Sequence, residues 1–150
     1  MLRMKMKSTE LEIFIDGASS GNPGDAAVGV VIKHKNGMRE EKISQYLGTG
    51  TNNFAEYQAL IIALERVRQL GADSISVKSD SELLVRQING EYKIKNDNLK
   101  QLFLKVEELK NGLRTFKINH VRREFNKEAD SLAKNAIERF RRANRMAAPQ

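Results

Sequence analysis

The chain contains no cysteine and no tryptophan, and only two prolines among its 150 residues. Without cysteine there is neither a disulfide framework nor a thiolate metal site. No apolar run approaches the ~20 residues that a membrane-spanning helix needs. The N-terminal segment Met1–Lys7 is basic, but no apolar stretch follows it, so it lacks the pattern of a secretory signal. A cytoplasmic protein with no membrane partner is the expectation. What the chain has in excess is positive charge, with 26 Lys and Arg against 19 Asp and Glu, a net +7. Such an excess suits a polyanionic partner, because neutralising phosphates releases counterions. Taken alone it would serve solubility equally well. With 40% hydrophobic and 30% charged residues the chain can bury a core and stay soluble, and its length suits one domain. The expected organisation is a basic extension over 1–9, a single domain over 10–140 and a basic, flexible tail over 141–150, in a monomer.

The stretch Leu11-Glu-Ile-Phe-Ile-Asp-Gly-Ala-Ser-Ser-Gly-Asn-Pro-Gly24 is the most informative one. Leu11, Ile13 and Ile15 alternate with Glu12, Phe14 and Asp16, the period of a strand. Ile13-Phe14-Ile15 is apolar on both faces, which predicts a central strand covered on both sides. It ends on a carboxylate, Asp16, followed by small residues and the turn cluster Asn22-Pro23-Gly24. An acid at the end of a buried strand is costly unless something answers it.

Further strands are predicted over Ala26–His34 and Met38–Leu47, joined at Lys35-Asn36-Gly37, where Asn-Gly suits a type I′ hairpin. The third strand is mostly polar and reads as an edge. A helix is predicted from about Asn53 to Leu70, a fourth strand over Ser74–Lys78, and a short helix opened by a capping box at Ser79-Asp80-Ser81-Glu82. A third helix is expected from Asn96 to Gly112, a fifth strand over Thr115–Val121, and a last helix capped by Asn126 and ending near Phe140. Strands four and five each follow a helix, so right-handed crossovers lay them parallel to strand one. Strand one then has an antiparallel neighbour on one side and a parallel one on the other. Sites in α/β folds form at the carboxyl ends of strands at such a switch point.

Three more acids sit at element ends and are candidates to answer Asp16. Asp80 follows strand four, so it leaves the sheet beside Asp16 if those strands are neighbours. Glu56 starts an apolar helix face continued by Ala59, Leu60, Ala63 and Val67. Asp130 lies in the first turn of the last helix, on the flank of Ala133 and Ile137. Singly, Asp80 and Asp130 read as helix-dipole acids, and Glu56 as half of a local ion pair. Together they read as a metal site. Clustered carboxylates repel unless a cation joins them, and hard oxygen donors select Mg²⁺ or Mn²⁺. Two such ions ~4 Å apart can clamp an in-line phosphoryl displacement.

The pattern Asp16-Gly17-Ala18-Ser19…Gly21-Asn22-Pro23-Gly24, Thr51-Asn52-Asn53-Phe54-Ala55-Glu56, Ser79-Asp80-Ser81 and Asn126-Lys127-Glu128-Ala129-Asp130 resembles type-1 ribonuclease H. The resemblance covers about residues 10–140 and holds all four carboxylates in order. It implies an α/β ribonuclease H-like fold, a five-stranded mixed sheet in the order 3-2-1-4-5 with helices on both faces. It implies an endonuclease that hydrolyses the RNA strand of RNA–DNA hybrids with two Mg²⁺ (or Mn²⁺) ions and leaves 5′-phosphate and 3′-hydroxyl ends. By the same resemblance, Asp16 would bridge the ions, Asp130 would serve the water-activating one, and Glu56 and Asp80 the one near the leaving oxygen. Gly17 would permit close approach, Ser19, Asn22, Asn52 and Asn53 would meet the minor groove of the hybrid, and Thr51 a DNA phosphate. Short polar side chains suit that task, since the 2′-OH is what separates RNA from DNA.

Three departures from the family pattern bear on substrate handling. The loop Val121–Asn126 is short and lacks the mobile histidine that many members carry there. His120 belongs to the preceding strand, which leaves Arg123 or Glu124 as auxiliary candidates. Glu91–Asp97 is too short for the Lys- and Trp-rich helix of some members, so affinity falls to Lys93, Lys95 and the basic stretch Arg139–Arg145. Glu82 stands where a Gln often approaches the RNA. These departures motivate one rival reading, a module on the same fold that binds hybrid or double-stranded RNA without cutting. The intact acids oppose it, because a binding role alone has no use for carboxylates facing phosphates.

Overall fold

Leu11, Ile13 and Ile15 are fully buried in β1 (Glu10–Ser19), while Glu12 and Phe14 between them are half-buried. β1 therefore occupies the middle of the sheet. It pairs antiparallel with β2 (Gly24–His34) and parallel with β4 (Ser74–Ser79). β3 (Glu40–Gly50) and β5 (Thr115–His120) are the edges, and the five-stranded order is β3-β2-β1-β4-β5, as expected. The computed structural model describes residues 10–35, 37 and 39–147. The expected basic extension and Asn36 of the predicted hairpin lie outside the described residues. Among the described residues no helix is long and apolar enough to cross a membrane.

Helix α1 (Asn52–Leu70) packs on β1 and β2, burying Tyr57, Leu60, Leu64 and Val67 against Val28, Val30 and Ile32. Its neighbours are α2 (Glu82–Ile88) and α3 (Asp97–Lys110), and the buried Tyr57 hydroxyl ties α1 to α2 by donating to Gln87 Oε1 at 2.7 Å. α4 (Lys127–Ala147) covers the opposite face over β2 and β3, with Ala129, Ala133, Ala136 and Ile137 turned inward. A 3-10 turn, Arg123–Phe125, links β5 to α4.

Thr51 caps α1, its Oγ1 accepting from the Phe54 N–H at 3.1 Å. Capping differs from the sequence reading in two places. Ser81 caps α2 by accepting from the Leu84 N–H, so the capping box at Ser79 is displaced, and Glu82 pairs with Arg86 instead. Asn126 does not cap α4: its amide points into the sheet. Thr51→Ala is expected to cost about 1 kcal/mol through the lost cap. A urea midpoint unchanged by that substitution would refute the assignment.

α4 also runs past its expected end at Phe140 and continues to Ala147. Aromatic stacking of Phe140 on Tyr46 and an Arg141–Asp25 ion pair hold these extra turns against β3 and the β1–β2 turn. Residues 148–150 of the expected tail lie outside the described residues.

Candidate active site

Ile15 pairs with Ser79 in the parallel ladder, so the next residues, Asp16 and Asp80, emerge side by side, where β1 lies between the antiparallel β2 and the parallel β4. The third acid arrives because Gly17 has no side chain. A Cβ there would stand 2.3 Å from Ala55 C and Glu56 N, so α1 rests directly on β1. The Gly17 N–H then donates to Glu56 Oε1 at 2.8 Å. Each of Asp16, Glu56 and Asp80 offers an oxygen, and these oxygens lie within 4.8 Å of one another. Asp16 and Glu56 are each only 5% exposed, and Asp80 is half-buried.

Burial pushes the Asp16 carboxyl well above the usual carboxylate range, and the charges of Glu56, Asp80 and Asp130 push it further. Burial also raises Glu56, against the opposing pull of the Gly17 N–H and the Arg123 guanidinium. A divalent cation among these groups would favour their ionised forms. Three hard oxygen donors converging on one point fit a divalent ion.

Asp130 stands beside this triad rather than within it. It lines the same cleft of about 190 Å³ and faces Asp16, and it pairs with Lys134 one helical turn on, at 3.0 Å. Asn126, 1% exposed, is the unanticipated residue. Its Nδ2 donates to the Ile15 carbonyl at 2.8 Å and to Asp80 Oδ2 at 3.3 Å. It thereby fixes Asp80 to the strand that carries Asp16. Arg123 lines the cleft with the carboxylates, whereas Glu124 is exposed and pairs with Arg122 at 3.4 Å. Of the two auxiliary candidates, Arg123 lines both this cleft and an outer hollow shared with Asp80 and Asp130, whereas Glu124 lines the outer hollow only. His120 ends β5, as its sequence position indicates, but it is exposed and lines an open hollow with Asp80, Arg122 and Asp130.

The groove-facing set is stitched together by its own hydrogen bonds. Ser19 Oγ donates to the Gly50 carbonyl at 2.8 Å and also contacts the Gly21 carbonyl. Asn22 Oδ1 accepts from the Asn52 N–H at 3.2 Å. The β1–β2 turn is thus locked to the loop that opens α1. Asn52 lines the carboxylate cleft itself. Asn22, Thr51 and Asn53 line an adjoining hollow that continues to Asn96 and Asn98 at the start of α3. Asn96 also caps α3, its side chain accepting from the Leu99 N–H at 3.0 Å.

A mixed sheet in this order, with acids gathered where its two central parallel strands end, is the architecture of a ribonuclease H-like protein, and Asp16, Glu56 and Asp80 are placed so that they could hold a metal ion. The family model described as "Reverse transcriptase-like" matches residues 14–136. Ribonuclease HI of Halobacterium salinarum is 39% identical over 125 residues, 83% of this chain and 63% of that protein. The N-terminal RNase H domain of Rv2228c from Mycobacterium tuberculosis superposes with a TM-score of 0.82 at 36% identity, covering 85% of this chain and 98% of that one. LC11-RNase H1 in complex with an RNA/DNA hybrid gives a TM-score of 0.79 at 40% identity, over 86% of this chain and 97% of that one. The chain belongs to the type-1 ribonuclease H family. It spans less than two thirds of the length of the curated relatives named ribonuclease HI of H. salinarum and Rv2228c.

Proposed function

We propose that this protein is an endoribonuclease that hydrolyses the RNA strand of RNA–DNA hybrids, acting as a monomer in the cytoplasm and leaving 5′-phosphate and 3′-hydroxyl ends. The observation that carries this reading is the approach of the Asp16, Glu56 and Asp80 oxygens within 4.8 Å of one another, next to a turn and loop lined with short polar side chains. The hybrid carried by LC11-RNase H1 supports the choice of substrate.

Two Mg²⁺ ions (or Mn²⁺), when bound, would activate the attacking water and stabilise the leaving 3′ oxygen. The chain's own residues prepare that chemistry. Asp16, on β1, would be shared between the two ions, with Glu56 and Asp80 holding the one on the leaving-group side and Asp130 the one on the water side. The Gly17 N–H and the Asn126 amide each hold one carboxylate oriented, so no reorganisation is needed at the moment of reaction. Arg123 adds positive charge beside a site that must accept a phosphate. On the recognition side, Thr51 Oγ1 is the acceptor for its helix, which leaves its O–H free to donate to a DNA phosphate. Asn22 spends its carbonyl oxygen on Asn52, which leaves its NH₂ for base edges and 2′-hydroxyls. Ser19, Asn52 and Asn53 complete that set, and Gly17, whose missing side chain lets α1 rest on β1, lines the same cleft.

The discriminating assay offers matched RNA–DNA, RNA–RNA and DNA–DNA duplexes with Mg²⁺ or Mn²⁺. Cleavage confined to the RNA strand of the hybrid is expected, and its loss with EDTA. Hybrid binding without cleavage in either metal would favour the non-cutting module instead. That module would have to keep Asp16 and Glu56 at raised pKa for no return.

A further inference from the structure

The β1–β2 turn that carries Ser19 and Asn22 is held from the far end of the chain. Arg141, near the end of α4, donates from Nε to Asp25 Oδ2 at 2.9 Å and from Nη2 to Ser20 Oγ at 2.8 Å. The other Asp25 oxygen accepts the Tyr46 hydroxyl at 2.9 Å. The Tyr46 ring stacks on Phe140, with centroids 3.8 Å apart and planes 8° apart. The Ser20 N–H closes the turn on the Asp25 carbonyl at 2.8 Å. One guanidinium therefore grips both sides of the turn, directly beside Ser19. The hydrogen bonds from Arg141 and then Tyr46 hold the Asp25 carboxyl below its usual range.

An ion pair this exposed contributes little to global stability. Its value is geometric. A planar guanidinium meets two acceptors in fixed directions, which an ammonium cannot reproduce. The turn is otherwise fastened on its other flank, through Ser19 to Gly50 and Asn22 to Asn52. Arg141 supplies the opposing hold.

We propose that Arg141, Asp25 and Tyr46 form a strap that positions Ser19 and Asn22 for the substrate groove, so that the last turns of α4 set substrate affinity without touching the substrate. This rests on the reading of Ser19 and Asn22 as hybrid-binding residues. The rival is that Arg141 is itself a phosphate contact.

The test compares Arg141→Gln, Arg141→Lys, Asp25→Asn and the Arg141→Gln/Asp25→Asn double variant. Each single change is expected to raise KM for an RNA–DNA hybrid about three- to tenfold with kcat within about twofold, a loss of binding geometry rather than of chemistry. Arg141→Lys keeps the charge and is expected to recover little. The double variant is expected to be no worse than either single one, because both break one network. An Asp25→Asn protein with unchanged or lowered KM, or a double variant whose effects multiply, makes Arg141 a phosphate contact and overturns the strap. Hydrogen exchange at the Ser20 amide, measured without substrate, is expected to speed up in Arg141→Gln; an unchanged rate overturns the strap even if KM moves. A wild-type chain that neither binds nor cuts hybrid would overturn the hydrolase reading, and the exchange result would still decide whether the strap exists.

Discussion

Replacing Asp16 with asparagine should lower hybrid cleavage by about 10³-fold or more, roughly 4 kcal/mol of transition-state stabilisation, and should at the same time stabilise the metal-free protein. The two effects have one cause. Asp16 is 5% exposed and faces three other carboxylates, so its pKa is pushed up to about 9, first by burial and then by Glu56, Asp80 and Asp130. Glu56 is pushed up to about 8, first by burial. A carboxyl whose pKa is higher folded than unfolded binds its proton more tightly in the folded chain. Folding is then favoured at low pH, and stability drains away as pH rises from the ordinary carboxylate range near 4 through these raised values. In EDTA the wild-type midpoint should therefore fall between about pH 5 and pH 9, and divalent metal should restore it, because a cation makes the ionised form the favoured one. Asp16→Asn removes the most strongly perturbed charge and keeps the shape. A gain on the order of 1–2 kcal/mol at pH 8 in EDTA is expected, and a flatter pH profile. Urea titrations with and without Mg²⁺ check both statements. A variant that cleaves normally would remove Asp16 from the site, and one with the wild-type pH profile would show that the acids are not in mutual repulsion.

The acids were legible in the sequence because each one interrupts a pattern. Asp16 ends an apolar strand, Glu56 opens an apolar helix face, and Asp80 follows a buried strand. Strand and crossover rules indicated that β4 and β5 run parallel to β1 and β2 antiparallel to it, and the full order came from the family resemblance. What the sequence did not show is which distant groups hold those acids. Asn126 sits before a helix, the ordinary place for a cap, and local spacing cannot show that its amide reaches Ile15 and Asp80 instead. Arg141 has the same history. In sequence it is one of several arginines in a basic tail, and only the docking of α4 on β3 makes it a partner of Asp25. Lys134, paired with Asp130, reads equally as a solvated helix charge. Periodicity reports which face is buried, whereas a hydrogen bond between residues a hundred positions apart depends on how whole elements dock.

Gly29→Ala should be the most destabilising of the conservative substitutions, although it adds a single methyl group. Gly29 lies on β2, directly opposite Asp16 in the antiparallel ladder. A Cβ there would stand 1.9 Å from the Ala129 carbonyl oxygen and 2.8 Å from the Ala133 N. Both are backbone atoms in the first turns of α4, so no side chain can swing aside. α4 approaches this closely because its inward face is Ala129, Ala133 and Ala136. The helix must lift off the sheet, and it carries Asp130, the residue after Ala129, away from Asp16 as it does so. A loss of about 3 kcal/mol is expected from the overpacking, with hybrid cleavage falling further than the unfolded fraction explains. Gly112→Ala is the control. Nothing lies within 4 Å of a Cβ there, and its effect should stay within about 1 kcal/mol. Urea midpoints for the two variants, with cleavage measured where each remains folded, decide the matter. A Gly29→Ala protein as stable as Gly112→Ala would mean that α4 does not rest on β2 as described, and Asp130 would then lose the support that sets it beside Asp16.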